Sequence, residues 1–134
     1  MTYTVTKRIH FCYGHRLLDY AGKCRHLHGH NAAAELSFSR RFLDRRGMAL
    51  DFADIKETVQ AWVDAELDHR LLLNRRDPLA RLLRGAGEPV VTLPGNPTAE
   101  NIAKLLFDFA AGRKLPVVRV RLWENPDSCA EYAP

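Results

Sequence analysis

Cysteine is scarce and odd in number, three in 134 residues. No opening stretch joins basic residues, an apolar run and a small-residue cleavage site. Together these absences exclude a secreted disulfide framework. Long apolar runs are also missing: the longest are a few residues, far short of the roughly 20 that a helical membrane span needs. Neither sign of charge dominates, with 20 Lys+Arg against 16 Asp+Glu. No zinc-finger spacing and no basic stretch interleaved with aromatics appears, so a nucleic-acid partner is not expected. Repeats and low-complexity segments are absent as well. The expectation is a reduced, cytoplasmic protein with no membrane or nucleic-acid partner, folded as a single domain over residues 1–134.

The hydrophobic share of 46% is ordinary for a globular chain, and a chain of this length buries about two-thirds of its unfolded surface. Residues 3–13 alternate, with Tyr3, Val5, Ile9 and Phe11 on one face and Thr4, Thr6, Arg8 and His10 on the other. Residues 28–41 alternate likewise, with Ala32, Ala34, Leu36 and Phe38 in phase. Asp51 reads as the cap of a helix over 52–67 whose stripe is Phe52, Ile55, Val59, Trp62, Val63 and Leu67. A short helical turn follows Pro78 and stops at Gly85. Thr98 caps a second long helix with the stripe Ile102, Leu105, Leu106 and Phe109, ended by Gly112. Residues 117–124 alternate as a third strand, and Asn125-Pro126-Asp127 turns into a fourth, Ser128–Tyr132. The predicted architecture is α+β, an antiparallel four-stranded sheet covered by two helices in the order ββααββ.

Five of the six histidines fall between positions 10 and 30. His28 and His30 share the phase of Ala32 and Leu36, and His15 continues the apolar phase of Ile9 and Phe11. If the two strands pair, three imidazoles converge at one end of a buried face, a donor set suited to Zn²⁺ with its fourth position open. Cys24 lies four residues before His28. It is either a fourth ligand that closes the site or a free thiol made acidic by Lys23, Arg25 and the metal. Cys12 and Cys129 read as small core residues. Asp68-His69 ends the first helix, where the carboxylate either sets the imidazole's tautomer or the imidazole simply meets the helix dipole. Glu124 keeps the apolar phase of Val120 and Leu122, so its carboxylate needs a protein partner or a ligand with N–H donors. The arginine pairs 40–41, 45–46 and 75–76 are either a solvated face or sites for an anion.

His15, Cys24-x3-His28-Gly29-His30, Asp51-Phe52-Ala53-Asp54, Leu67-Asp68-His69, Pro97-Thr98-Ala99-Glu100-Asn101 and Trp123-Glu124-Asn125-Pro126 occur in that order. Together they resemble the 6-pyruvoyltetrahydropterin synthase / 6-carboxytetrahydropterin synthase family over nearly the whole chain. The resemblance implies a tunnelling fold in which sheets of three subunits close into a barrel and two trimers stack, a homo-oligomer. It implies Zn²⁺ on His15, His28 and His30, a catalytic thiol at Cys24 working with Asp68 and His69, and substrate contacts from Glu124 and Thr98. The implied substrate is 7,8-dihydroneopterin triphosphate, and the short Cys-x3-His spacing is that of the 6-carboxytetrahydropterin branch of queuosine biosynthesis. Two features depart from the family pattern: Tyr13 stands where alanine is usual, and the stretch from Asn74 to Gly95 is longer than in compact members.

Overall fold

The two alternating segments near the N-terminus form the two longest strands. In the computed structural model, which describes residues 1–134, β1 (Tyr3–His15) and β2 (His28–Arg40) pair antiparallel from Tyr3 opposite Arg40 to His15 opposite His28. Toward the histidine end, large side chains of β1 lie over small ones of β2, with Ile9 facing Ala34 and Phe11 facing Ala32, so this part of the pair packs without bulk opposing bulk. β5 (Val117–Asn125) joins the free side of β2, and β6 (Ser128–Tyr132) joins β5, both antiparallel. The turn between them is closed by Asn125 Oδ1, which accepts the amide of Asp127 at 2.9 Å.

The sheet does not end with these four strands. β3 (Arg70–Asn74) and β4 (Val90–Leu93) extend it beyond β1 as parallel strands, giving the order β4-β3-β1-β2-β5-β6. The expected four-stranded sheet and the order ββααββ are therefore incorrect. The sheet is six-stranded and mixed, and the elements run ββαβαβαββ with three helices. The physical reason lies in the two added strands. β3 is a run of three leucines without alternation, and β4 has four residues lying between Pro89 and Pro94. Strands of parallel crossovers carry no period-two signal, so nothing marks them in the sequence.

The long helix, α1, spans 52–66: α-helical over Phe52–Ile55, π-helical over Lys56–Gln60 and α-helical again over Ala61–Glu66. Asp51 caps it, accepting the Ala53 amide at 2.9 Å. Ile55, Val59, Val63 and Leu67 are fully buried at a constant spacing of four. In a regular helix that spacing drifts around the axis, and the wider π turn corrects the drift so that all four face the sheet. α2 (Pro78–Gly85) connects β3 to β4, and α3 (Ala99–Gly112) carries the predicted stripe. α1 and α3 cover one sheet face together, with Trp62 stacked on Phe109 at 4.1 Å between centroids. The other face carries polar cross-strand pairs: Thr4 with Ser39, Thr6 with Ser37, Arg8 with Glu35, and Arg121 with Glu131.

Candidate metal centre

The β1–β2 register brings the three histidines together. His15 faces His28 across the ladder, His30 faces Tyr13, and the ring centroids lie 4.5, 5.0 and 5.2 Å apart. Two glycines pair between them, Gly14 with Gly29. A Cβ on Gly29 would lie 3.1 Å from the Tyr13 carbonyl oxygen, so the close approach of the strands at this end depends on its absence.

Two of the three rings are oriented by backbone carbonyls. His15 is buried and donates from Nδ1 to the carbonyl of Pro97 at 2.7 Å; His28 donates from Nδ1 to the carbonyl of His26, also at 2.7 Å. Both bonds leave the Nε2 lone pairs unprotonated and pointing inward. His15 Nε2 and His30 Nε2 are 3.1 Å apart, and one donor atom from each of the three rings lies within 4.8 Å of the others. Nitrogens that ligate one tetrahedral ion at about 2.0–2.1 Å are separated by roughly 3.3–3.4 Å, so the His15–His30 pair is already close to that separation and His28 lies near enough to complete a three-imidazole set. Burial pushes the His15 pKa below the ordinary histidine value, against the raising effect of the Pro97 carbonyl. The ring is thereby held in the neutral form that a metal requires. The Pro97 carbonyl comes from the loop that leads into α3, where the Thr98 hydroxyl accepts the Asn101 amide at 3.2 Å as the helix cap.

Glu124 reaches the trio from β5, its Oε2 3.4 Å from His30 Nε2. Its side chain is 27% exposed, so one carboxylate stands beside the trio, partly open to whatever enters. Tyr13 packs against His15 and His30 on this face.

Asp68 and His69 form a second cluster rather than joining the first. Asp68 Oδ1 accepts the amide of Cys12 and Oδ2 accepts His69 Nδ1, each at 2.9 Å, and the Cys12 thiol completes the group. Burial works to raise the Asp68 pKa, but the Cys12 and His69 hydrogen bonds prevail and hold it below the usual carboxylate value. His69 adopts a left-handed backbone, φ 59°, with its amide donated to the Cys12 carbonyl at 2.8 Å. Such a conformation outside glycine is uncommon and is often found at functional sites. The cluster borders a cavity of about 430 Å³ that Tyr13, His30, Asn31, Arg70 and Glu88 also line.

Cys24 belongs to neither cluster. It sits half-buried in a single 3₁₀ turn, Lys23–Arg25, whose Cys24 carbonyl accepts the Leu17 amide at 2.9 Å. Cys12 and Cys129 are not core residues as the strand positions suggested: Cys12 is half-buried on the sheet face opposite His15, and Cys129 is exposed. Several arginines are taken up locally, Arg46 by Asp44 and Asp51 and Arg40 by the carbonyl of Ala49. The grouping of Cys12 with Asp68, 56 residues away, left no mark in the sequence beyond the phase of Cys12 itself.

The 6-pyruvoyl tetrahydropterin synthase family profile matches residues 4–134. The chain belongs to that family. The 6-carboxy-5,6,7,8-tetrahydropterin synthase of Rickettsia bellii is 35% identical over 133 residues, which cover 94% of this chain and 96% of the relative. An uncharacterised protein from Wolinella succinogenes has a crystal structure that superimposes with a TM-score of 0.82 at 27% identity, covering 99% of this chain and 98% of the other. The 6-pyruvoyl tetrahydropterin synthase of Caenorhabditis elegans shares the fold, with a TM-score of 0.74 at 22% identity over 100% of this chain and 96% of that one. No helix is long and apolar enough to cross a membrane.

Proposed function

We propose that the protein is a zinc-dependent carbon–carbon lyase that converts 7,8-dihydroneopterin triphosphate and water to 6-carboxy-5,6,7,8-tetrahydropterin, acetaldehyde and triphosphate. The observation that carries this reading is the histidine trio, two of whose tautomers are set by backbone carbonyls, with the Glu124 carboxylate beside it. His15, His28 and His30 hold the metal, which when bound supplies a Lewis acid that acidifies neighbouring hydroxyl groups. Glu124 accepts the exocyclic amino group and ring N–H of the pterin side by side, a charge-assisted bidentate pair that sets the ring's orientation. Thr98, whose oxygen accepts the helix cap, offers its hydroxyl proton to the same ligand. The Cys24 thiolate takes a carbon-bound proton, and the Asp68–His69 pair passes protons at the imidazole. In one chain Cys24 belongs to neither cluster and the Asp68–His69 pair is grouped apart from the histidine trio, so their joint action on one substrate calls for a neighbouring copy of the chain. This agrees with the trimer or hexamer that the family resemblance implies.

Incubation of the zinc-loaded protein with 7,8-dihydroneopterin triphosphate, followed by mass identification of the products, tests the reading. Acetaldehyde with 6-carboxytetrahydropterin is expected. 6-Pyruvoyltetrahydropterin without acetaldehyde would assign the chain to the other branch, and an unchanged substrate would leave a non-catalytic zinc module.

A further inference from the structure

Tyr13 lies between Phe11 and His15 on the core face of β1 and faces His30 across the ladder. It is 3% exposed. Its ring meets His15 edge-on at 5.1 Å between centroids and lies 5.8 Å from His30 and 5.5 Å from Phe11. That packing accounts for the aromatic body but not for the hydroxyl, which is buried and has no hydrogen-bond partner in the chain. Buried tyrosine hydroxyls are nearly always paired, because an unmade bond costs stability that phenylalanine in the same place would keep. Packing alone therefore does not explain a tyrosine here.

The trio and Glu124, which lies beside His30, are the polar side chains of the candidate site, and none of them bonds the hydroxyl. The Nδ1 positions of His15 and His28 are committed to the carbonyls of Pro97 and His26, and the inward nitrogens converge on one another. The partner missing from the tyrosine hydroxyl is then best supplied by a molecule bound beside the trio.

We propose that Tyr13 is a ligand-contacting specificity residue, whose hydroxyl donates a hydrogen bond to a side-chain oxygen of the small molecule held beside the histidine trio. The inference rests on the reading of that pocket as a pterin site. A pterin with a hydroxylated side chain offers such oxygens, whereas an unsubstituted pterin does not, so the tyrosine selects between them.

The test compares wild type and Tyr13→Phe, both zinc-loaded, by calorimetry with 7,8-dihydroneopterin and with 7,8-dihydropterin that lacks the side chain. The substitution should weaken the first about fivefold to tenfold, the loss of one neutral hydrogen bond, and leave the second within about twofold. Zinc content should stay the same, and the ligand-free Tm should be equal or higher. Equal affinity of both proteins for dihydroneopterin would overturn the proposal while leaving the pterin site intact. A matching loss for both ligands would also overturn it, because the hydroxyl would then act on the ring through Glu124. A ligand-free Tm that drops by several degrees would mean that the hydroxyl serves the fold instead. Wild type that binds neither pterin would refute the pterin reading itself, and the role of Tyr13 with it.

Discussion

The link between Arg16 and Asp77 ties the histidine end of β1 to the β3–α2–β4 unit, and its removal has a calculable cost. The Asp77 side chain is fully buried and that of Arg16 is 24% exposed. Asp77 Oδ2 accepts Arg16 Nε at 2.7 Å, while Oδ1 accepts both Arg16 Nη2 and, at 2.8 Å, the amide of Leu79 as the cap of α2. Asp77→Ala removes a cap worth about 1 kcal/mol. It also strands a mostly buried guanidinium, which we set at about 2 kcal/mol, below the range for fully buried pairs because Arg16 keeps some solvent. A total near 3 kcal/mol, at roughly 2.1 cal/mol/K per residue over 134 residues, lowers Tm by about 10 °C. Asp77→Asn keeps a good cap and loses the charge, so it should cost about half as much. The pH dependence gives a second check. The Arg16 hydrogen bonds, aided by the Leu79 amide, hold the Asp77 pKa below its ordinary 3.8 in spite of burial. With the folded pKa depressed, the unfolded chain binds more protons in that window. The stabilisation is therefore complete above about pH 4–5 and is lost as pH falls through the folded value. Urea denaturation at matched protein concentration should show a full gap between wild type and Asp77→Ala at neutral pH, closing below pH 3.8. A neutral-pH gap under about 1 kcal/mol, or one that stays constant into strong acid, would refute the reasoning.

Three further outcomes are expected at the site. His28→Ala should reduce zinc from about one per chain to a small fraction without loss of helical signal, since two ligands hold the ion poorly; elemental analysis with circular dichroism reads both. Cys24→Ala should keep the zinc and lose most turnover, because the thiol stands outside the histidine cluster. Loss of the metal would instead make Cys24 a ligand, and near wild-type rates would remove it from the chemistry. Glu124→Gln should leave zinc content unchanged and weaken pterin binding by roughly 2–4 kcal/mol, as one acceptor becomes a donor facing a donor; calorimetry that shows equal affinity would discard the anchor.

The parts of the molecule that were legible in the sequence are those with a local period. Strand phase placed His15, His28, His30 and Glu124 on one face, and the structure keeps them there. Caps are local too, and Asp51 and Thr98 sit where they were expected. Beyond the reach of pattern were the short parallel strands β3 and β4, which have a leucine run and two prolines in place of alternation. Bonds between residues far apart in the chain were equally silent, including His15 to Pro97, Arg16 to Asp77 and Cys12 to Asp68. Each depends on how the added strands seat against β1, which no window of a few residues records.

Those added strands also bear on how the two clusters are divided. Side chains alternate along β1, so His15 and Tyr13 face the helices while Cys12 faces away. β3 lies parallel against β1 through Tyr13–His15, and the turn that delivers it, Asp68-His69, arrives beside Cys12. The Asp68–His69 pair is thus anchored to the same strand as His15 and Tyr13 but grouped with the opposite face. Turning the side chains of both groups to one face of β1 would need a slip in register that would expose Ile9 and Phe11. A second copy of the chain that presents its own Asp68–His69 at this pocket meets the requirement with no change in register. Mixing two inactive variants, Cys24→Ala and His69→Ala, under conditions that exchange subunits should then restore part of the activity. Subunit exchange without any recovery would place the whole reaction within one chain.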